Sequence, residues 1–477
     1  MNRIVSYTLS LVLLIGFVIL SSCQEDPELP DNLVEFESDE LGISSSETEL
    51  TITINLSREA SAEASLIVNV EPVGLAYDVD FTTEPATISN SISIPVAVSA
   101  TTASFVVKKS EGALFDGDEK ITFTIASAPE SLVLGEKTQL TLKFAEIVAT
   151  TGAMELNGGG PTYPNKVFID LSANRQTAVA RTTWDLGFSS GSDFRIVLNA
   201  SNGMLARALD KTDLNSVTAS DTVGWGTQLS LGAVFAAITS TPVPDWVPSA
   251  ITWIDDPSGD LSKTSIPAIS ATPSENKVYI INRGDGPGTP ATKLGWKKIR
   301  IVRNGNGYTL QHADISATTF SEIQITKNTA YAFQFVSFAT GVVEIEPTVD
   351  RWDLAWTGFT NSTNFGSGPV PYYFQDIILQ NTTGIQTAQI LTSIKTYESF
   401  GEADLASLDF GNQSQVKIGS SWRSGGGPGV SPAVRTDRFY IIKDSDNNFY
   451  KLRFTALTTS GERGKPKLEY SLIKKGT

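Results

Sequence analysis

Residues able to ligate a soft metal or share a proton in catalysis are scarce in this 477-residue chain. There is one histidine, His312, one cysteine, Cys23, and three methionines. A single cysteine permits no intramolecular disulfide and no Cys-x-x-Cys knuckle. A Ser-His-Asp triad would have to use His312, and no His-Glu-x-x-His zinc helix is present. The Gly-rich stretches at 284–288 and 424–429 lack the Lys-Ser/Thr of a phosphate loop. Carboxylates are everywhere, so a two-carboxylate glycosidase is not singled out. His312 follows Tyr308 and Leu310 at a spacing of two, so a strand would put all three on one face, where a core role competes with a ligand role. The expectation is a non-catalytic binding protein.

The elements that position these residues are organised around Arg351-Trp352-Asp353-Leu354-Ala355-Trp356, which echoes Thr183-Trp184-Asp185-Leu186-Gly187-Phe188. Each follows an alternating strand, a polar turn and a returning strand, so each closes a β-meander on a buried Trp. Trp184 and Trp352 read as core, and Asp185 and Asp353 as carboxylates that bond turn backbone. A second echo pairs Tyr279 in Val278-Tyr-Ile-Ile-Asn282 with Tyr440 in Phe439-Tyr-Ile-Ile-Lys443. Offsets of 168 residues for the Trp pair and 161 for the Tyr pair indicate a duplication, read as two consecutive β-domains at 148–325 and 326–477. Residues 213–240 are less regular and hold the few expected helices.

Residues 1–23 read as a targeting segment. Arg3 is its positive end, 11–20 an apolar run too short for a comfortable span, and Leu20-Ser-Ser-Cys23 resembles a bacterial lipobox that would place an acyl anchor on Cys23. The acidic tether at 24–33 is similar to the signal that sends Bacteroidota lipoproteins to the cell surface. Residues 1–150 carry 23 acids and 7 bases and account for the whole net charge of −16, which argues against a nucleic-acid partner. Strand-like runs at 49–56, 65–70, 104–108, 120–125 and 139–144 indicate an N-terminal β-sandwich over 34–147. Tyr77-Asp-Val-Asp-Phe81 and Phe115-Asp-Gly-Asp-Glu119 resemble a Calx-beta domain. That likeness implies a Ca²⁺ site of Asp78, Asp80, Asp116, Asp118 and Glu119, although Asp-Gly-Asp is also an ordinary turn.

The two Trp-Asp-Leu units, together with Tyr450-Lys-Leu-Arg-Phe454 and the stretch at 461–470, resemble the HmuY family over roughly 150–477. The chain is therefore expected to be all-β, a β-sandwich followed by two related HmuY-like domains. The resemblance implies a lipid-anchored outer-membrane protein at the cell surface that captures haem beside a TonB-dependent receptor. Where family members carry a ligand histidine after the Trp-Asp motif, this chain has Ser189 and Thr357. Met204, Tyr372 and Tyr373 are the substitute haem ligands, each also readable as packing. The alternative is a cofactor-free surface lipoprotein whose aromatics, such as Trp225, Trp246, Trp422 and Phe365, bind a protein or glycan.

Overall fold

The computed structural model describes residues 30–476 apart from 45–46, 112, 114–118, 146–147 and 426–430. The chain is all-β, mostly strand with little helix. Cys23 and its neighbours lie outside the described residues, as do Asp116 and Asp118. Among the described residues, no helix is long and apolar enough to cross a membrane.

Strands β1 to β10, from Leu33–Phe36 to Gln139–Lys143, form two five-stranded sheets packed face to face. Alternation makes this sandwich: in Glu49–Leu56 and Lys120–Ser127 every second side chain is buried. Phe105 and Phe123, one from each sheet, meet edge to face at 4.9 Å across the core. The sandwich is fastened to the C-terminal sheets by an Arg175–Glu47 ion pair of 2.9 Å and a bond from Ser38 Oγ to the Asn174 carbonyl.

Four further sheets contain the duplication. The hairpin β12 (Asn165–Asp170) and β13 (Arg175–Ala180) does not pair with the Trp-Asp strand next in the chain, β14 (Leu186–Ser189). It pairs instead with the Trp-Asp strand of the other repeat, β23 (Leu354–Asn364), with Phe168 opposite Ala355. Reciprocally, the hairpin β21 (Phe333–Ser337) and β22 (Gly341–Val343) pairs with β14, Phe335 opposite Gly187. The same exchange closes the last sheets. Strands β16 (Leu205–Ala208), β17 (Val278–Asn282), β18 (Trp296–Asn304) and β19 (Gly307–Ala313) are completed by β20 (Ser321–Ile325), which opens the second repeat. Their counterparts β25 (Gln386–Leu391), β26 (Arg438–Lys443), β27 (Phe449–Ala456) and β28 (Lys467–Lys474) are completed by β11 (Thr151–Glu155), which opens the first. The expected division into consecutive domains at 325/326 does not coincide with the sheets: strands from both sides of that boundary share three of them, and β20 is the counterpart of β11.

The Trp-Asp corners are bonded alike. Asp185 N–H donates to the Val336 carbonyl and Asp353 N–H to that of Ile169, both at 2.7 Å. The Asp185 and Asp353 carboxylates accept from Phe338 N–H and Leu171 N–H, both at 2.8 Å. Asn199 and Asn381 each donate to the carbonyl of the corner Trp, at 2.8 and 2.9 Å. Phe168 meets Trp352 and Phe335 meets Trp184, both edge to face. All four rings lie in one buried cluster between the repeats, and removing one such side chain costs about 3–5 kcal/mol.

Two insertions break the symmetry. The first repeat adds 3₁₀ turns and the helix α1 (Leu231–Ile238), capped by Ser230 Oγ accepting from Ala233 N–H at 3.1 Å. The second lengthens its hairpin. The Asn199/Asn381 offset is 182 residues against 168 for the Trp pair, so the chain from Trp352 through β23 and β24 (Pro369–Gln380) to Asn381 is 14 residues longer than that from Trp184 through β14 and β15 (Ile196–Leu198) to Asn199.

Candidate functional site

The long hairpin carries Tyr372, Tyr373 and Phe374 on β24. At its bulge between Thr357 and Phe359, Gly358 leaves space that a Cβ would deny to the Tyr373 ring. Tyr373 uses that approach to donate its hydroxyl to the Ser201 carbonyl at 2.9 Å, and burial pushes its pKa above the usual phenol value. Tyr372 differs. It is half-buried among Phe235, Phe365 and Phe374, with centroids 5.7, 5.3 and 5.0 Å away, and its hydroxyl has no hydrogen-bond partner among the described residues. Phe235 and Phe365 are 45% and 51% exposed, so they form an open aromatic patch beside Tyr372.

Tyr372, Tyr373 and Phe374 line a groove of about 760 Å³ whose other wall includes Arg423, Arg435, Arg438 and Arg463. Asp376 is fully buried beneath it, 3.8 Å from Arg423, paired with Arg463, and accepting from the Tyr163 hydroxyl at 3.2 Å. Asp437 binds Arg438 at 2.8 Å, while Arg435 Nε reaches the Arg423 carbonyl. Four guanidiniums therefore face two carboxylates, leaving a cationic groove on a strongly acidic chain. Planar guanidiniums pair with carboxylate or phosphate through two parallel N–H donors. These arginines were not picked out from sequence. Their only signal there is Arg435-x-x-Arg438; Arg423 and Arg463 join through folding.

Met204 is elsewhere. It is 1% exposed and lines a partly open pocket of about 200 Å³ beside Trp184 and Trp352. Ligand pockets commonly span roughly 300–1,000 Å³, so this cavity does not admit a macrocycle. Ser189 and Thr357 are both buried, Thr357 donating to Ser201 Oγ at 3.1 Å. His312 is a core residue, 9% exposed, its ring 5.3 Å from Phe338, and burial lowers its pKa. Trp422 is 1% exposed, Trp225 and Trp246 are half-buried, and of those four aromatics Phe365 is the exposed one. In the sandwich, Asp78 is exposed at φ 64°, and Asp80 accepts from Ala76 N–H at 2.8 Å. Among the described residues no group of three or more carboxylates, histidines or cysteines is arranged to hold a metal, Asp78, Asp80 and Glu119 included.

A sandwich joined to a strand-exchanged duplication, with an open aromatic and cationic groove on one hairpin, defines an all-β protein with the surface features of a binding protein. The HmuY protein family matches residues 162–470, and the chain belongs to that family. No curated protein matches it. Among solved structures, the apo-form Calx CBD1 domain is 13% identical, covering 24% of this chain and 94% of its own at a TM-score of 0.20. The CBD12 region of CALX1.2 is 12% identical, covering 38% and 64% at 0.21. A putative carbohydrate binding protein from Bacteroides ovatus ATCC 8483 is 10% identical, covering 93% and 99% at 0.17.

Proposed function

We propose that this HmuY-family chain is a non-enzymatic, surface-anchored lipoprotein that binds haem or a related tetrapyrrole in the groove on its long hairpin. The observation that carries the reading is an unpartnered Tyr372 hydroxyl in a groove shared with four arginines, its ring packed on the exposed Phe235 and Phe365 beside that groove. Tyrosine is an established axial ligand type for haem iron. The residues fit the group. Tyr372 would ligate iron, Arg435 and Arg438 would pair with the peripheral carboxylates, and Phe235, Phe365 and Phe374 would cover a ring face. Tyr373, held by Ser201, positions the strand rather than the iron. An acyl chain on Cys23 would hold the protein at the outer membrane, beside a TonB-dependent receptor that takes the ligand onward. Calcium in the sandwich, through Asp78, Asp80, Asp116, Asp118 and Glu119, is a separate proposal.

The test is a titration of the form starting after Cys23 with haem and, in parallel, with metal-free protoporphyrin. Saturable binding of both is expected. Tyr372→Phe should weaken haem at least tenfold and leave protoporphyrin nearly unchanged, while Arg435→Gln with Arg438→Gln should weaken both. Absence of saturable binding by either ligand overturns the reading. It would favour cofactor-free recognition of a protein or glycan through exposed Phe235 and Phe365.

A further inference from the structure

A partly open pocket of about 200 Å³ lies where the two repeats meet, and both corner tryptophans, Trp184 and Trp352, line it. They are 5% and 8% exposed, and the indole N–H of each is buried without a hydrogen-bond partner among the described residues. Lys166 also lines the cavity. No carboxylate among the described residues lies within ion-pairing distance of its ammonium, which sits 4.7 Å from the Phe168 ring centroid. Two buried indole donors thus lack acceptors at this pocket, beside a half-buried ammonium whose nearest opposite charge is Glu346. Most buried polar side chains find a partner, so an orphaned set calls for an explanation.

The carboxyls in the wall do not supply those acceptors. Asp255 receives Leu198 N–H and Ser265 N–H at 2.6 and 2.9 Å, and Glu346 receives Phe333 N–H at 3.1 Å. At the mouth, Asp256 accepts from Ser258 N–H and Asp260 pairs with Lys263. Burial raises Asp255 to about 6 and Glu346 to about 7, which lessens the negative charge facing an incoming anion. The remaining walls are apolar, including Phe333, Phe335, Phe359 and Leu379. Residues 255–264 contribute part of the wall, pinned where Gln415 N–H meets the Ser258 carbonyl at 2.9 Å.

We propose that this cavity is a second site, which takes a small carboxylate with an apolar ring, its carboxylate on Lys166 and the two indole N–H groups. Size agrees with this class. A cavity of about 150 Å³ accepts benzene, so 200 Å³ holds such a ring with room for a carboxylate. The site is independent of the groove on the hairpin and of the haem reading.

Calorimetric titration of the form starting after Cys23 with phenylacetate tests the proposal, with toluene as the carboxylate-free control. One site per chain is expected, with toluene at least tenfold weaker. Trp184→Phe and Trp352→Phe keep an aromatic, though smaller, ring and delete the N–H, and each should weaken phenylacetate about fivefold. Lys166→Met should weaken it more, with thermal melts confirming that each variant is folded. No saturable binding, equal affinity for toluene, or folded Trp→Phe variants of unchanged affinity each overturn the proposal. The last outcome would mean that water already satisfies the indoles.

Discussion

Asp185 and Asp353 occupy equivalent corners in opposite electrostatic surroundings. Asp185 is paired with Arg283 at 2.7 Å, whereas Asp353 faces Asp170 and Asp444 in a buried acidic cluster. Burial, and then the charge of Asp170, hold the Asp353 carboxyl well above its ordinary value of 3.8. One oxygen of Asp170 is itself buried without a partner among the described residues. The folded state therefore retains protons that the unfolded chain releases. The stability this gives is full below 3.8 and is lost as pH rises through the folded-state value. Asp170→Asn removes one of the repelling charges. We expect it to raise stability by about 1 kcal/mol near pH 7, roughly 2–4 °C, and by less near pH 4. Thermal melts across pH 4–8 check this, and an equal change at both ends would contradict it. The Trp-Asp-Leu signature made these corners legible in the sequence, as core ring and turn-bonded carboxylate. The asymmetry was not legible, because Arg283 and Asp444 lie 98 and 91 residues downstream of their corners and only the fold brings them near.

At the scale of elements, the long hairpin separates binding from stability. Trp356, fully buried and stacked on Tyr163 at 5.6 Å, belongs to the shared core near its base, whereas Phe365 at its far end is half exposed. Replacing residues 361–372 with a two-residue Asn-Gly turn closes the hairpin on the Thr360–Tyr373 pair, removing Tyr372 and Phe365 but retaining Trp356, Tyr373 and Ile378. Circular dichroism should remain that of a folded β protein, while haem titration loses its saturable component. Alternation and turn residues disclosed most strands, since burial on one face imposes period two. They also located the helical insertion: α1 falls within the 213–240 stretch singled out as irregular. Cross-strand partnership left no such trace. Either Trp-Asp strand carries an apolar pattern that suits either hairpin, and local periodicity does not say which one it joins.

For the whole molecule, the exchange of strands makes each repeat incomplete alone. Residues 148–314 lack β20 for their last sheet and β21 for the edge of β14. Expressed separately, 148–314 and 315–477 should each be largely unfolded or aggregated, from exposed edges and unfilled cores. Co-expressed, they should associate one to one and regain the β spectrum of the intact region. Size-exclusion chromatography with circular dichroism decides, and a folded monomer from either piece alone would sink the expectation.

The crossed pairings also bear on ancestry. A half-length chain with one hairpin, one Trp-Asp strand and one terminal sheet could make each of these pairings with a second copy of itself, as an isologous dimer about a two-fold axis. Fusion of two such genes would yield this topology without altering a single contact. Divergence after fusion could then set Arg283 at one corner and Asp444 at the other, and lengthen only one of the two hairpins.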